Sequence, residues 1–230
     1  MMEDWTQFYA YILQMEEEGL VTRTFRRLDP ERQETILEAI VDEAVARGPT
    51  ALNIKEVAAR AGVSVGSLYT YFPDREGMLA FAVELSRRFV TDAFQQYRPY
   101  LAAMPLREAL VAYLSGGIEW SRAYAALVRL FARAAYHGDP ELSEQLVTPI
   151  ATLLRDMVGD ILATAVERGE VRPDVDLEAA TRIVHALTIA VGDSQLLPYL
   201  NTYFQVTGEE VTEERALGAV IDLVLYGIGV

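Results

Sequence analysis

The chain has 230 residues, 51% of them apolar, no cysteine, and 34 acidic against 20 basic side chains, for a formal net charge of −14. That length and apolar content suffice for two modest domains or one large one; the missing cysteines exclude disulfides and thiol chemistry and fit a reducing compartment. The acidic balance argues against loose coating of nucleic acid, whose affinity comes largely from phosphates, but not against a local docking face.

The sequence begins Met-Met-Glu-Asp with no basic segment behind it, so no signal peptide is expected. Residues 3–15 set Trp5, Phe8, Tyr9, Ile12 and Met15 at helical spacing, ahead of Glu16-Glu17-Glu18 and Gly19. This predicts an N-terminal helix that packs against the chain's own body or a partner subunit. The stretch VTRTFRR reads as a basic arm and completes an N-terminal extension over residues 1–28. Its Arg23, Arg26 and Arg27 either lie along a flanking minor groove or form a solvated tail. Asp29 then caps a helix with Pro30 at its first position. That helix is predicted to run to about Arg47, with Ile36, Leu37, Ile40, Val41, Ala44 and Val45 facing inward, and to end at Gly48-Pro49.

Ile54 to Phe72 reads IKEVAARAGVSVGSLYTYF, two short helices around a glycine turn. Ile54, Val57, Ala58 and Ala61 form one apolar face, and Asn53 stands at the N-cap. Gly62 sits where the chain reverses and a positive φ is cheap only for glycine. Ser64 caps the second helix, with Leu68, Tyr71 and Phe72 on one side and Gly66, Tyr69 and Thr70 on the other. The small Ala58 lets the helices cross closely, and the offsets match a DNA-binding helix-turn-helix. The window Gly62-Val63-Ser64-Val65-Gly66 also matches the G-x-S-x-G nucleophile elbow. That motif needs a strand before it and a histidine and acid after it. Here a helix precedes, and His137 and His185 lie far off with no motif around them.

The segment AARAGVSVGSLYTYFPDREGML resembles the N-terminal domain of TetR-family transcriptional regulators, closely from Arg32 to Leu79 and beyond that only in layout. The resemblance implies a three-helix DNA-binding domain over residues 29–75 and a helical ligand-binding and dimerisation domain over 76–230. Its DNA-binding positions fall on Lys55, Ser64, Val65, Gly66, Ser67, Tyr69, Thr70, Tyr71 and Arg75. Gly66 lets the backbone approach the groove, Thr70 reaches a base edge, and Tyr69, Tyr71 and Arg75 hold phosphates. Many members carry a lysine or arginine after the capping serine where this chain has Val65, which removes one phosphate contact. Residues 22–80 carry eight basic and nine acidic side chains, against twelve and twenty over 81–230, so the acidity lies mainly outside the DNA-binding segment.

After the motif, Pro73-Asp74 starts a long linker helix to about Tyr97, and Pro99 and Pro105 bracket a loop. Helices follow at 106–121, 122–136, 140–168, 177–200 and 212–228, with no alternating strand pattern. Gly116-Gly117 inside a helical pattern predicts a kink or a close helix approach. An aromatic row, Tyr113, Trp120, Tyr124 and Phe131, is expected to face Met157, His185 and Asp193, either as packed core or as a ligand cavity. The resemblance favours the cavity, for a small apolar or cationic effector with Asp193 or Glu119 as the nearest charge. The last helix carries Leu217, Val220, Ile221, Val224, Leu225 and Ile228 on one face, while Ala219, Leu223 and Tyr226 leave the other nearly apolar. A helix apolar all round is buried on both sides. Leu217, Val220 and Val224 are therefore expected at a homodimer seam, and the resemblance implies a four-helix one.

The sequence thus predicts an all-α homodimer that binds a palindromic double-stranded DNA operator as a repressor and is released by a small-molecule effector. A constitutive repressor without effector is the alternative, and a helical enzyme using the aromatic cavity is the rival class. No metal-ligand spacing, phosphate loop or paired carboxylates appear, so no cofactor, metal or catalytic residue is expected. The longest apolar run, 216–230, is interrupted by Asp222 and too short to span a bilayer, so a soluble cytoplasmic protein is expected, without a membrane partner.

Overall fold

The computed structural model describes residues 2–48 and 51–229, without the side chains of residues 2–7; the packing of Trp5 and the conformation of Pro49 lie outside the described residues. In chain order the helices are α1 (Met2–Glu17), α2 (Arg23–Arg26), α3 (Pro30–Arg47), α4 (Ile54–Ala61), α5 (Val65–Tyr71), α6 (Arg75–Ala103) and α7 (Leu106–Ala123). Then come α8 (Ala125–His137), α9 (Pro140–Leu142), α10 (Thr148–Glu167), α11 (Leu177–Leu196), α12 (Pro198–Phe204) and α13 (Glu213–Ile228). The fold is all-α; among the described residues the β pairing is one isolated antiparallel bridge between Val171 and Gly229. No helix among them is long and apolar enough to cross a membrane.

Two compact units form: residues 1–92 with 125–150, and residues 93–124 with 151–230. The division falls inside α6 at Asp92, not at the 75/76 boundary expected from the sequence, and α8 belongs with the first unit.

In the first unit the local signals hold. Asp29 Oδ1 accepts from the Arg32 amide at 2.9 Å to start α3. α4 crosses α3, and the buried Glu43 carboxylate of α3 draws in Arg47 at 3.1 Å and Arg60 of α4 at 3.6 Å. A buried carboxylate needs such partners to offset its desolvation. Of the expected basic arm, the tail-like conformation and the role of Arg26 are corrected, while Arg23 and Arg27 are exposed. Residues 23–26 form a helical turn because Phe25 is fully buried, with ring centroids 5.1 Å from Phe72 and 5.0 Å from Phe81. Burying one phenylalanine contributes roughly 1.5–3 kcal/mol, enough to fix so short a segment. Arg26 pairs with Glu16 and donates to the Tyr9 hydroxyl at 3.2 Å, so it is not a groove-facing cation.

The second unit packs the end of α6 with α7, α10, α11 and α13 around Leu110, Leu114, Val158, Ile161, Leu162 and their neighbours. Three proline effects alter the predicted boundaries. Pro99 sits inside α6, which continues to Ala103 instead of stopping near Tyr97. The turn is held from outside: Arg98 grips Asp160 through two bonds of 2.5 and 3.1 Å, and Arg168 donates to Ala103 O at 2.8 Å and to Met104 O at 2.5 Å. Pro198 pushes Leu197 to an extended conformation (φ −129°, ψ 90°), which splits the expected 177–200 helix into α11 and α12. Pro149 cannot donate to the carbonyl four residues back, and a π turn over Ser143–Val147 precedes it, dividing the expected 140–168 helix. At the chain's end, Arg172 satisfies carbonyls of Ile228 at 3.0 Å (N–H) and Gly227 at 2.9 Å (Nη2).

Candidate functional site

The helix-turn-helix is built from caps. Asn53 Oδ1 accepts from Lys55 N at 3.1 Å, and α4 ends in Gly62 at φ +62°, ψ +34°, with Val63 N donating back to Ala58 O at 2.9 Å. Arg32 Nη2 donates to Gly62 O at 2.8 Å and pins the turn onto α3. Ser64 Oγ accepts from Ser67 N at 3.0 Å, and the two serine hydroxyls bond to each other at 2.8 Å. Both serines therefore act first on the backbone that starts α5.

Along α5, Leu68 is buried while Gly66, Tyr69 and Thr70 are exposed together on the outer face. Thr70 Oγ1 donates to Gly66 O at 2.8 Å, which leaves its oxygen lone pairs and methyl outward. A Cβ at Gly66 would meet only Ser64 Oγ at 3.6 Å, an ordinary contact, so no packing within the chain requires a glycine there. Val65 and Tyr71 are half-buried, and Tyr71 sets its ring edge-on to Phe25 at 6.0 Å. Lys55, at the start of α4, and Arg75, at the start of α6, are exposed. Of the nine residues expected to meet DNA, Lys55, Ser64, Gly66, Tyr69, Thr70 and Arg75 are exposed and Val65, Ser67 and Tyr71 half-buried, with Ser64 and Ser67 also holding the start of α5. Sequence reasoning missed Thr22 and Arg32, whose bonds to the motif span 48 and 30 positions and leave no local signal.

The second unit contains a cavity of about 420 Å³, within the range of small-molecule sites. The end of α6 lines it with Phe94, Tyr97, Tyr100 and Leu101, the following turn with Met104, α7 with Tyr113, Gly116, Gly117, Glu119 and Trp120, and α10 with Met157. Phe94 meets Trp120 edge-on at 5.1 Å, and Trp120 meets Tyr124 at 4.8 Å. Of the seven ligand residues expected from the sequence, Tyr113, Trp120 and Met157 line this cavity, and Tyr124 backs Trp120. Phe131 belongs to the first unit, and His185 and Asp193 on α11 are not in the lining. Tyr100, Leu101 and Met104 were missed because Pro99 read as a helix end, and Phe94 and Tyr97 because the helix before it read only as a linker. Gly116 and Gly117 have nothing within 4 Å of an added Cβ, so they keep space open and do not admit a neighbouring helix, contrary to expectation. Burial pushes the Tyr113 phenol up to about 12, against the lowering effect of its hydrogen bond with Thr188. His185 is held below its ordinary value by burial and then by Arg155. Among the described residues no group of three His, Cys, Asp or Glu side chains is arranged to hold a metal.

The residues expected at a homodimer seam face the interior of their own unit. Val224 is buried in the unit's own core, and Leu217 and Val220 pack against it. The opposite face of α13 presents Leu223 and Tyr226, 60% and 84% exposed, and α11 presents Ile183 at 62%.

A short polar helix face, clamped from behind and exposed in front, defines a DNA-binding protein of the helix-turn-helix class. Residues 36–81 match the family of bacterial regulatory proteins, tetR family, and residues 104–190 match the tetracyclin repressor-like C-terminal domain. The chain belongs to the TetR family and is a transcriptional regulator, not an enzyme. It is 27% identical over 154 residues to the HTH-type transcriptional repressor KstR2 of Rhodococcus jostii, covering 66% of this chain and 74% of that protein. To the repressor KstR of the same organism it is 28% identical over 193 residues, covering 73% and 86%. Its fold is similar to a TetR family regulator from Chloroflexus aurantiacus, with a TM-score of 0.65 at 20% identity over 92% of this chain and all of that one.

Proposed function

We propose that the protein is a homodimeric, effector-released repressor. The observation that carries this reading is the pairing, in one chain, of the exposed Gly66-Tyr69-Thr70 face with an aromatic cavity whose wall is the same α6 that begins at Arg75. A second copy joins through Ile183, Leu223 and Tyr226, which gives two α5 helices for successive major grooves about 34 Å apart. The relatives KstR2 and KstR are described as repressors, which supports that sign of action.

The effector is small and apolar or cationic. The lining is dominated by Phe94, Tyr97, Tyr100, Tyr113 and Trp120; Glu119 is the charged member and no basic residue is among them. Aromatic faces attract cations, and an anionic ligand would find no counter-charge in this wall. Binding repositions the last turns of α6, and release follows only as far as the ligand prefers the DNA-incompetent arrangement.

In vitro selection from a random duplex library tests the reading. It should enrich a palindrome whose affinity exceeds that of a scrambled duplex at physiological salt, and an apolar or cationic aromatic compound that enters the cavity should lower it. Equal affinity for selected and scrambled DNA would refute the repressor; a ligand that fills the cavity without weakening operator binding would make the repressor constitutive.

A further inference from the structure

The N-terminal extension is tied to the back of α5. α5 has seven residues, too few to be stable alone, and its last carbonyls lack partners within the helix. Thr22 supplies two of the missing donors: its hydroxyl donates to Thr70 O at 2.7 Å and its amide to Tyr71 O at 2.9 Å. The same hydroxyl accepts from Phe25 N at 3.4 Å, so one side chain ends α5 and starts α2. Phe25 fills the space between Tyr71, Phe72 and Phe81. Gln33 of α3 then closes the far end of α2, donating to Phe25 O at 3.0 Å and Arg26 O at 3.2 Å.

α1 carries this attachment onto α6. Glu16 pairs with Arg26 of α2. On the other side Phe8 stacks on Phe89 at 4.4 Å, Tyr11 Oη donates to Asp92 Oδ2 at 2.6 Å, and Glu18 pairs with Arg88 at 2.7 Å. A continuous chain of contacts therefore runs from Asp92, where α6 leaves the first unit, to the end of α5 that carries Thr70.

We propose that residues 8–27 are a strut that sets the orientation of the DNA-reading helix from α6, with Thr22 as the positioning residue at its end. The proposal rests on α5 being that helix. A strut of this kind acts on discrimination: it holds Thr70 and Tyr69 where base edges and phosphates of the matched site lie, while nonspecific attraction to phosphates tolerates a looser α5.

The test uses the full chain, the duplex enriched by in vitro selection on the wild type, and a scrambled duplex, with binding read by fluorescence anisotropy and folding by thermal melting. Thr22→Val keeps the shape and removes the hydroxyl. It should weaken the selected duplex by about three- to tenfold, the range a lost neutral hydrogen bond gives, and the scrambled duplex by less than about twofold. Thr22→Ser, which keeps the hydroxyl, should restore wild-type discrimination. Tyr11→Phe, at the α6 end, should lower discrimination in the same direction and keeps the test sound if Thr22→Val melts early. Equal loss on both duplexes, no loss in a folded Thr22→Val, or a Thr22→Ser as impaired as Thr22→Val would overturn the strut. A wild type that selects no duplex would instead refute the DNA-reading assignment of α5.

Discussion

The proposed seam offers the sharpest contrast between neighbouring residues. Leu223 and Val224 are adjacent in α13, yet Leu223 is 60% exposed and Val224 is buried in the core of its own unit. Fully burying a leucine is worth roughly 1.5–3 kcal/mol, so covering the exposed part of Leu223 contributes about 1–2 kcal/mol per subunit and about 2–4 per two-fold dimer. At 1.4 kcal/mol per decade, Leu223→Ala should raise the dimer dissociation constant by roughly thirty- to several-hundred-fold. It should leave the melting of the isolated subunit nearly unchanged, because substitutions at free surface sites stay within about 0.5 kcal/mol. Val224→Ala should do the reverse, costing about 1–3 kcal/mol of subunit stability through the cavity it leaves. Sedimentation velocity across a dilution series separates the two, with melting followed at concentrations where the protein is dissociated, since dimer stability depends on concentration. If Leu223→Ala leaves association intact while a folded Val224→Ala abolishes it, α13 does not present this face to a second copy.

Arg75→Ala should weaken binding to every duplex alike and flatten the salt slope by about one unit, whereas Thr70→Ala should relax preference at one base position; a sequence-specific Arg75 effect would contradict its phosphate role. Gly117→Leu should fill the cavity and raise helix stability by up to about 1 kcal/mol; in a Trp5→Phe background, where Trp120 is the single tryptophan, it should abolish any saturable ligand quenching. His185, depressed by burial and Arg155, holds fewer protons folded than unfolded as pH falls past its ordinary 6.5, so stability should decline below that pH, and His185→Gln should flatten that part of the curve. Deleting residues 1–28, which removes the buried Phe25, should unfold the first unit rather than merely trim DNA affinity, as a far-ultraviolet melt would reveal.

The helix-turn-helix was legible because each of its determinants is local. Asn53, Gly62 and Ser64 act on backbone within a few positions, and Val57, Ala58, Ala61 and Leu68 are spaced by the helix period. The arm was misread for the opposite reason. Its three arginines dominate the composition of VTRTFRR, but its conformation is decided by Phe25, whose partners Phe72 and Phe81 lie 47 and 56 positions away. The packing of α13 was half legible: that it is apolar on both faces is a fact of sequence, while the choice of inward face depends on α7 and α11, which no periodicity in α13 reports. The part of the cavity wall beyond Tyr97 was missed because of Pro99. Phe94, Tyr97 and Leu101 keep a helical spacing through it, and the turn survives because Asp160, paired with Arg98, and Arg168, donating to Ala103 O, hold it from outside the local segment.

The glycine pair in α7 bears on the packed-core and cavity accounts of the aromatic row. Two interior glycines cost a helix about 1 kcal/mol each relative to alanine, and a close-packed interior would recover that by bringing another backbone near. Here nothing stands within 4 Å of either Cβ position, although α7 continues unbroken from Leu106 to Ala123. The helix therefore forgoes propensity and packing together, and what the pair leaves is open volume bounded by Phe94, Tyr97, Tyr100 and Trp120. By the same argument Gly116→Ala should stabilise the chain without disturbing α7, and a destabilised Gly116→Ala protein would mean that a helix does approach there, returning the aromatic row to ordinary core.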